Sequence, residues 1–339
     1  MARVVLGMGL SHTPQLHTPP DQWDIRVEAD RRNKAHQFRG KTYDWEALKV
    51  ARGADHLGAE ASMDRRTARL NRAHQSLEKL AEIYHQTRPD IAVIVGNDQH
   101  ELFDDSITPA FTVFWGDKIE NIPRSEDQIA RLPAGIHIAD RGHVPPETQI
   151  YPGLPGLGRH IIESTIAEEF DVAHSRFLHK VDPDHSILSG IPHAYGFVYR
   201  QIMKDNVIPN VPIILNTFYP PNQPSVRRCF AFGQAIGRAI KSWSEDRTVA
   251  VIGSGGLSHF VVDPQFDRAF LDALRTCDVA AMAVPGEAMY QSGTSECKNW
   301  ITTAGILSTT ALKMNLLSYD PFIRSEGGTG TGAAFAYWN

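Results

Sequence analysis

Residues 249–260, Val-Ala-Val-Ile-Gly-Ser-Gly-Gly-Leu-Ser-His-Phe, constrain the fold more than any other stretch of the chain. Val249, Ala250, Val251 and Ile252 form a run with no polar face, the pattern of a strand covered on both sides. Gly253, Gly255 and Gly256 break the run with a tight turn that ends in Ser258 and His259. In α/β proteins the loop past the carboxyl end of a strand is where ligands bind, and glycine there lets backbone approach a ligand closely. An imidazole delivered by such a turn suits proton transfer, because it titrates near neutrality. Taken alone, the stretch is equally a glycine-rich turn with an incidental histidine.

The rest of the chain repeats the theme. Residues 4–8 read as a first strand, ended by Gly9 and followed by Ser11-His12-Thr13-Pro14. Residues 91–95 read as a second, ending in Gly96-Asn97-Asp98-Gln99-His100. Further strands are expected at 111–115, 171–174 and 213–216. Helices are expected at 64–86, where Leu70, Ala73, Leu77, Leu80, Ala81 and Tyr84 share one face, and at 159–169, 226–243, 265–276 and 296–317. Residues 117–157 receive no firm structure, and the glycine run 327–332 reads as a flexible tail before an apolar end. Strands alternating with helices predict an α/β fold: one domain over residues 1–339, with a central, mostly parallel sheet flanked by helices and a site at the strand carboxyl ends. Residues 17–60 are polar and punctuated by proline and glycine. They are expected to form a lid or a subunit contact within that domain, since loops this long usually carry function.

Composition removes several classes. A net charge of -5 offers no basic face for nucleic acid, and no apolar run approaches the roughly 18 residues of a membrane span. The N-terminus enters a strand at once and lacks the features of a secretory signal. Three cysteines, odd in number and far apart, suit free thiols in a reducing compartment, so a cytoplasmic protein is expected.

Strand ends thus deliver His12, His100 and His259, a turn delivers His185 beside Asp184, and a helix start delivers Glu296. Two imidazoles and one carboxylate make the facial set that leaves open positions on non-haem Fe(II). Spacing alone does not select ligands, because strand ends cluster in space from distant parts of a sequence. No HExxH, no paired CxxC, no phosphate-binding loop and no Gly-x-Ser-x-Gly elbow is present. Cys297 is expected to be a buried structural thiol. His193, His179, His160 and His174 are expected to be structural, and His56 and His74 to lie at the surface.

Taken in order, these motifs resemble the class III extradiol ring-cleavage dioxygenases, the family of the catalytic β subunit of protocatechuate 4,5-dioxygenase. The motifs are Ser11-His12-x-Pro14, the Asn97–His100 turn, Asp184-His185, Gly253–His259, and Ser292-Gly-x-Ser-Glu296 with Trp300 four residues on. The runs Thr18–Trp23 and Glu28–Asn33 and the glycine-threonine tail are similar to a single-chain branch acting on gallate-like or methylgallate-like catechols. The resemblance implies an enzyme that holds Fe(II) on His12, His100 and Glu296. His259 would take a proton from a catechol hydroxyl and return it as the O–O bond breaks, and His185 would hydrogen-bond the second hydroxyl. Both atoms of O2 would enter a ring-opened 2-hydroxymuconate-type acid. Gly256, Ser258 and Arg31 are expected to touch the substrate, with Arg26, Arg32 and Lys34 as further candidates for a substrate carboxylate. A homodimer is expected, with the 17–60 excursion covering the site.

One departure stands out. The family pattern is Asp-His, and here Gln99 intervenes. An ungapped alignment places Gln99 at the ligand position, whereas a bulge restores His100. His100 is taken because imidazole binds Fe(II) better than a neutral amide. Two other classes stay open: a hydrolase or lyase using another divalent metal on the same scaffold, and a non-catalytic binding protein that has lost a ligand.

Overall fold

The strand at Ile91–Asn97 is buried at all seven positions. Its side chains divide by parity. Ile91, Val93 and Val95 join one hydrophobic core, while Ala92 and Ile94 join another. The strand at Thr248–Ser254 divides in the same way, with Val249 and Val251 on one side and Ala250 and Ile252 on the other. Strands apolar on both faces require cover on both faces, so they occupy the middle of the sheet.

A computed structural model describes residues 1–178 and 190–339. Nine strands form its main sheet: β1 (Arg3–Leu10), β2 (Ile91–Asn97), β3 (Phe111–Phe114), β4 (Ala173–Ser175), β5 (Asn210–Leu215), β6 (Thr248–Ser254), β7 (His259–Val261), β8 (Met314–Ile323) and β9 (Thr329–Trp338). Their order is β7-β9-β1-β6-β2-β5-β3-β4, with β8 also paired to β9. The centre, β1-β6-β2-β5, is parallel as expected. Strands β9 and β3 flank it antiparallel. The carboxyl ends of β1, β6 and β2 therefore lie side by side, Leu10 opposite Ser254 and Gly253 opposite Val95.

The helices are α1 (Asp24–Arg32), α2 (Met63–Thr87), α3 (Pro155–Ala167), α4 (Val226–Ser242), α5 (Pro264–Arg275) and α6 (Cys297–Leu307), with several shorter turns. Leu70, Ala73, Leu77, Leu80 and Tyr84 of α2 cover one face of the sheet. Helices α3, α4, α5 and α6 contribute to the core on the other. Helices α4 and α6 approach so closely that a methyl group on Gly233 would stand 2.1 Å from the Thr302 carbonyl oxygen. Trp300 of α6 lies against Gly9 of β1, where an added Cβ would meet its ring at 2.2 Å. That contact seats the start of α6 over the strand ends.

Two expectations are corrected. The helix expected over 296–317 stops at Leu307, and residues 314–323 are strand β8. The glycine run is not a flexible tail. Residues 329–336 of β9 are buried, and this strand pairs with β1, β7 and β8. Its glycines serve packing: a Cβ on Gly332 would stand 2.1 Å from the Asp267 carboxylate, and one on Gly330 would stand 1.8 Å from the Phe322 carbonyl oxygen. Residues 17–60 hold α1, a hairpin (His36–Phe38 with Lys41–Tyr43) and short helices, so they are more regular than expected. Residues 117–157 contain a strand pair (Lys118–Asn121 with Gln149–Pro152) and a helix (Glu126–Arg131) started by a Ser125/Gln128 capping box.

Candidate metal centre and its cavity

His12 follows β1 directly. Ser11 exchanges two hydrogen bonds with Ala334 of β9, its N–H donating to the carbonyl and its hydroxyl accepting from the amide, which pins the chain at this point. The His12 ring then spends Nδ1 on the Ser254 hydroxyl at the end of β6, 2.9 Å away. Its Nε2 faces the Glu296 Oε2 and the His193 Nε2, each at 3.1 Å.

Glu296 closes the turn before α6 and is 2% exposed. Its Oε2 accepts the Gly256 N–H at 2.7 Å, and its Oε1 accepts from the Gln99 amide at 2.9 Å. Its position is fixed from behind. Asn299 donates to the Asn97 side chain and to the Ser254 carbonyl, both at 2.8 Å, and the Trp300 indole donates to the Gly255 carbonyl at 2.7 Å. Tryptophan four residues after the glutamate therefore locks α6 onto the glycine turn. Burial opposes the charge on Glu296, but the His12 and His259 rings outweigh it and hold the carboxyl well below its ordinary value.

His193 begins a short helix after Pro192. Its Nδ1 lies 2.9 Å from both oxygens of buried Glu101, and its backbone N–H donates to the same carboxylate. Burial lowers the pKa of this imidazole, but Glu101 prevails and raises it, whereas burial keeps His12 below its ordinary value. One ligand atom each from His12, His193 and Glu296 lies within 4.8 Å of the others. Two imidazole nitrogens facing each other beside a carboxylate suit a divalent cation at their centre, and the donor set fits a transition metal. The Glu101–His193 pair matches the outer carboxylate that commonly orients a metal-binding imidazole.

His259 completes the group. Its Nδ1 lies 2.7 Å from the Leu257 carbonyl, which can only accept, so Nδ1 carries the hydrogen. Nε2 is then the atom free to take a proton, and it stands 3.6 Å from Glu296 Oε1. The Thr294 hydroxyl accepts from the His259 N–H and donates to its carbonyl, both at 3.0 Å. Gly293 gives the ring room, since a Cβ there would lie 2.0 Å from it.

The expectation for His100 is corrected: the imidazole that joins His12 and Glu296 is His193. The Asp98 carboxylate accepts the N–H groups of Glu101, Leu102 and Phe103, which curls the chain after β2. Gln99 then reaches Glu296, and Glu101 reaches His193. His100 takes a left-handed backbone (φ 58°) and stacks its ring on Tyr219, centroids 3.5 Å apart. The other expected site residues divide. Gly256 lines the same cavity as His12, His259 and Glu296. Ser258 does not: its N–H and hydroxyl both donate to Asp267 of α5, so it braces the His259 turn from behind. Arg31 is exposed and pairs with Glu28 and Glu326, outside the cavity. His185 lies outside the described residues, as does His179.

The cavity has a volume of about 280 Å³, the scale of one substituted aromatic ring. Its floor is the strand-end group. Trp23, Leu132, Pro133, Ile136 and Phe260 supply apolar wall, and Arg26, Arg124 and Arg324 supply positive charge. The segment 124–143, given no structure from sequence, thus contributes as much cover as the segment 14–26. His193 was missed because nothing near it in the chain repeats the strand-then-histidine pattern. The Asp-Gln-His-Glu run was a usable signal for Glu101, being dense in groups that ligate or orient.

These features define an α/β protein with a two-imidazole, one-carboxylate centre at the ends of parallel strands. The chain belongs to the family of the catalytic LigB subunit of aromatic ring-opening dioxygenase, whose profile matches residues 58–330. Among curated proteins it is similar to gallate dioxygenase of Pseudomonas putida, 33% identical over 144 residues, which is 40% of each chain. It is also similar to 2,3-dihydroxyphenylpropionate/2,3-dihydroxicinnamic acid 1,2-dioxygenases. One from Dechloromonas aromatica is 33% identical over 33% of this chain and 32% of the relative. One from Mycobacterium ulcerans is 26% identical over 56% and 50%. The chain therefore spans half or less of the length of these relatives. Among solved structures, an uncharacterized Escherichia coli K12 protein superposes with a TM-score of 0.46 at 14% identity, over 79% of this chain and 92% of that one. Among the described residues, no helix is long and apolar enough to cross a membrane.

Proposed function

We propose that the protein is a non-haem Fe(II)-dependent extradiol dioxygenase acting on a catechol-type ring that carries a carboxylate, of the gallate or methylgallate kind. The observation that carries the proposal is the convergence of His12, His193 and Glu296 beside a His259 whose Nε2 is free to accept a proton. His12, His193 and Glu296 would hold the metal, with the Gln99 amide supporting Glu296 in place of a further imidazole. Iron bound there would acidify the ring hydroxyls and leave positions for the diol and for O2.

The chain's own residues supply the rest. His259 takes a hydroxyl proton at Nε2, and the nearby Glu296 carboxylate stabilises the imidazolium that results. The same atom, once protonated, would be placed to return the proton to a substrate oxygen that gains charge. The Leu257 carbonyl keeps the ring in the tautomer that makes this possible. Trp23, Ile136 and Phe260 exclude water from the ring. The relatives matched over part of their length, named as gallate dioxygenase and 2,3-dihydroxyphenylpropionate/2,3-dihydroxicinnamic acid 1,2-dioxygenase, agree with this reading.

Anaerobic Fe(II) reconstitution followed by oxygen uptake with a panel of catechols tests the proposal. One O2 consumed per ring opened is the expected result. Full turnover of a zinc-loaded, iron-free preparation without oxygen uptake would establish the hydrolase or lyase alternative instead.

A further inference from the structure

Four basic residues near the N-terminus are candidates to meet a substrate carboxylate, and the fold separates them. Arg31, Arg32 and Lys34 do not line the cavity, and Arg26 does. Two other guanidinium groups reach the same cavity, but each is already matched. Arg324 forms a two-pronged pair with Asp30, Nε to Oδ2 at 2.7 Å and Nη2 to Oδ1 at 2.8 Å, and the Thr329 hydroxyl also donates to Asp30. Arg124 pairs with Asp140 at 3.0 Å. Arg26 donates to the Ala134 carbonyl at 3.2 Å, and among the described residues no carboxylate lies within ion-pair distance of it.

The acid nearest in sequence, Asp30, is saturated by Arg324 and Thr329. Arg26 is thus a half-buried cation on a cavity wall that, among the described residues, hydrogen-bonds a neutral carbonyl oxygen and forms no ion pair, with Asp30 acting on it only from beyond ion-pair distance. Burial and the positive charge of Arg324 lower its basicity, and the Asp30 carboxylate, engaged by Arg324, offsets only part of that. A ligand anion entering the cavity would give this guanidinium the charged partner that its carbonyl contact does not supply. A planar fork of donors suits a carboxylate, which it can meet with two parallel hydrogen bonds. The apolar wall beside it, Trp23 with Leu132, Pro133 and Ile136, suits the ring that would carry that carboxylate.

A second unmet group lines the cavity. Gln15 is 4% exposed, and its amide nitrogen donates to the Phe322 carbonyl at 3.1 Å. That bond fixes which end of the amide is which, and it leaves Oε1 buried with no donor. The cavity therefore presents one unmatched cation and one unmatched acceptor, the complement of a carboxylate and a further hydroxyl on one ring.

We propose that Arg26 is the specificity-determining residue for the substrate carboxylate, holding it against the cover while the diol faces His12, His193 and Glu296. This rests on the ring-cleavage function proposed above and names the group that selects among catechols. The alternative is that Arg26 only clamps α1 to the 132–136 loop through Ala134. Loss of a clamp weakens binding of every ring alike, whereas loss of a carboxylate contact does not.

The test is Arg26→Gln and Arg26→Lys, assayed for KM and kcat on 3,4-dihydroxybenzoate and on 3,4-dihydroxybenzamide, with thermal melting to confirm folding. The expected result for Arg26→Gln is a KM about 10- to 100-fold higher for the carboxylate alone, the range of one charged hydrogen-bonded contact, with kcat little changed. Arg26→Lys, which keeps the charge, should retain part of the preference. Equal losses on both rings, or an unchanged preference in Arg26→Gln, would overturn the proposal. The same comparison by calorimetry under anaerobic conditions reads the carboxylate preference without turnover. Absence of oxygen uptake by the unaltered protein on every catechol would therefore count against the ring-cleavage function and not against this contact.

Discussion

The floor and the cover of the cavity are held by different forces. On the floor, His12, Gly256, His259 and Glu296 sit where β1 and β6 end and α6 begins, and backbone carbonyls and amides fix them together with neutral side chains such as Ser254 and Gln99. Gly256 N–H holds Glu296, the Leu257 carbonyl holds His259, and the Gly255 carbonyl holds Trp300. The cover is tied down by charged side chains reaching across the chain. Asp30 grips Arg324, Arg124 grips Asp140, and Arg66 joins Asp24 to the Arg324 carbonyl. Strand register is all-or-none, because a slip of one residue turns every side chain to the other face. Ion pairs can be exchanged singly. On the proposed function, the floor is suited to keep one chemistry and the cover to choose the ring on which it acts.

The sharpest way to break this division is to strip the floor. His12→Ala, His193→Ala and Glu296→Ala should each abolish retention of iron, measured as metal per chain after desalting, while His100→Ala should retain it. Loss of iron in His100→Ala with retention in His193→Ala would exchange the two assignments.

Next in size is His259→Gln. Iron should stay and kcat should fall by roughly 10²- to 10⁴-fold, the usual worth of a general acid–base group. A variant that instead loses metal would make His259 a ligand and not the proton carrier.

In the cover, Asp30→Asn leaves the buried Arg324 charge unmatched and should cost about 3 kcal/mol of unfolding free energy. Burial opposes the Asp30 charge, but Arg324 outweighs it and holds the carboxyl below its ordinary value. Its contribution is therefore complete above the unfolded-state pKa of about 3.9 and is lost as pH falls through the lower folded value. Urea titrations should show unaltered protein and Asp30→Asn far apart at neutral pH and converging in acid. A constant gap down the acid limb would show that the loss comes from packing and not from charge.

The smallest effect is expected where cover and floor meet. Glu101→Gln keeps an acceptor for the His193 N–H but removes the charge that raises the basicity of the ring. Iron affinity, read by chelator competition, should weaken by about 10- to 100-fold. No change would mean that Glu101 orients His193 by shape alone.

Much of the floor was legible in the chain. Apolar runs at 91–95 and 249–252 announced central parallel strands, because a strand covered on both faces cannot afford polar side chains at either parity. The motifs around His12 and His259 followed from where β1 and β6 end, and that of Glu296 from where α6 begins. The β9 strand was not legible. Its glycines and alanines carry no β-branched signal, and their reason is external: Asp267 and Phe322 leave no room for a side chain at Gly332 and Gly330.

The cover was legible only in part: residues 17–60 were expected over the site, and Thr18, Trp23 and Arg26 line the cavity, but residues 124–143 carried no signal. Periodicity is a property of neighbours in sequence, and it determined by itself the central strands of the sheet and where their loops point, but not strands β7, β8 and β9 at one side of it. Which imidazole meets His12 was decided by the Asp98 carboxylate, which draws three backbone amides around itself, turns His100 onto Tyr219 and brings Glu101 to His193. Which arginine faces the cavity was decided by the packing of α1 against the 132–136 loop, with Asp30 already taken by Arg324. The Asp98 turn is local, but its meeting with His193 and Tyr219, like that of Asp30 with Arg324, joins side chains about a hundred or more residues apart, and only the crossovers of the folded sheet set such distances.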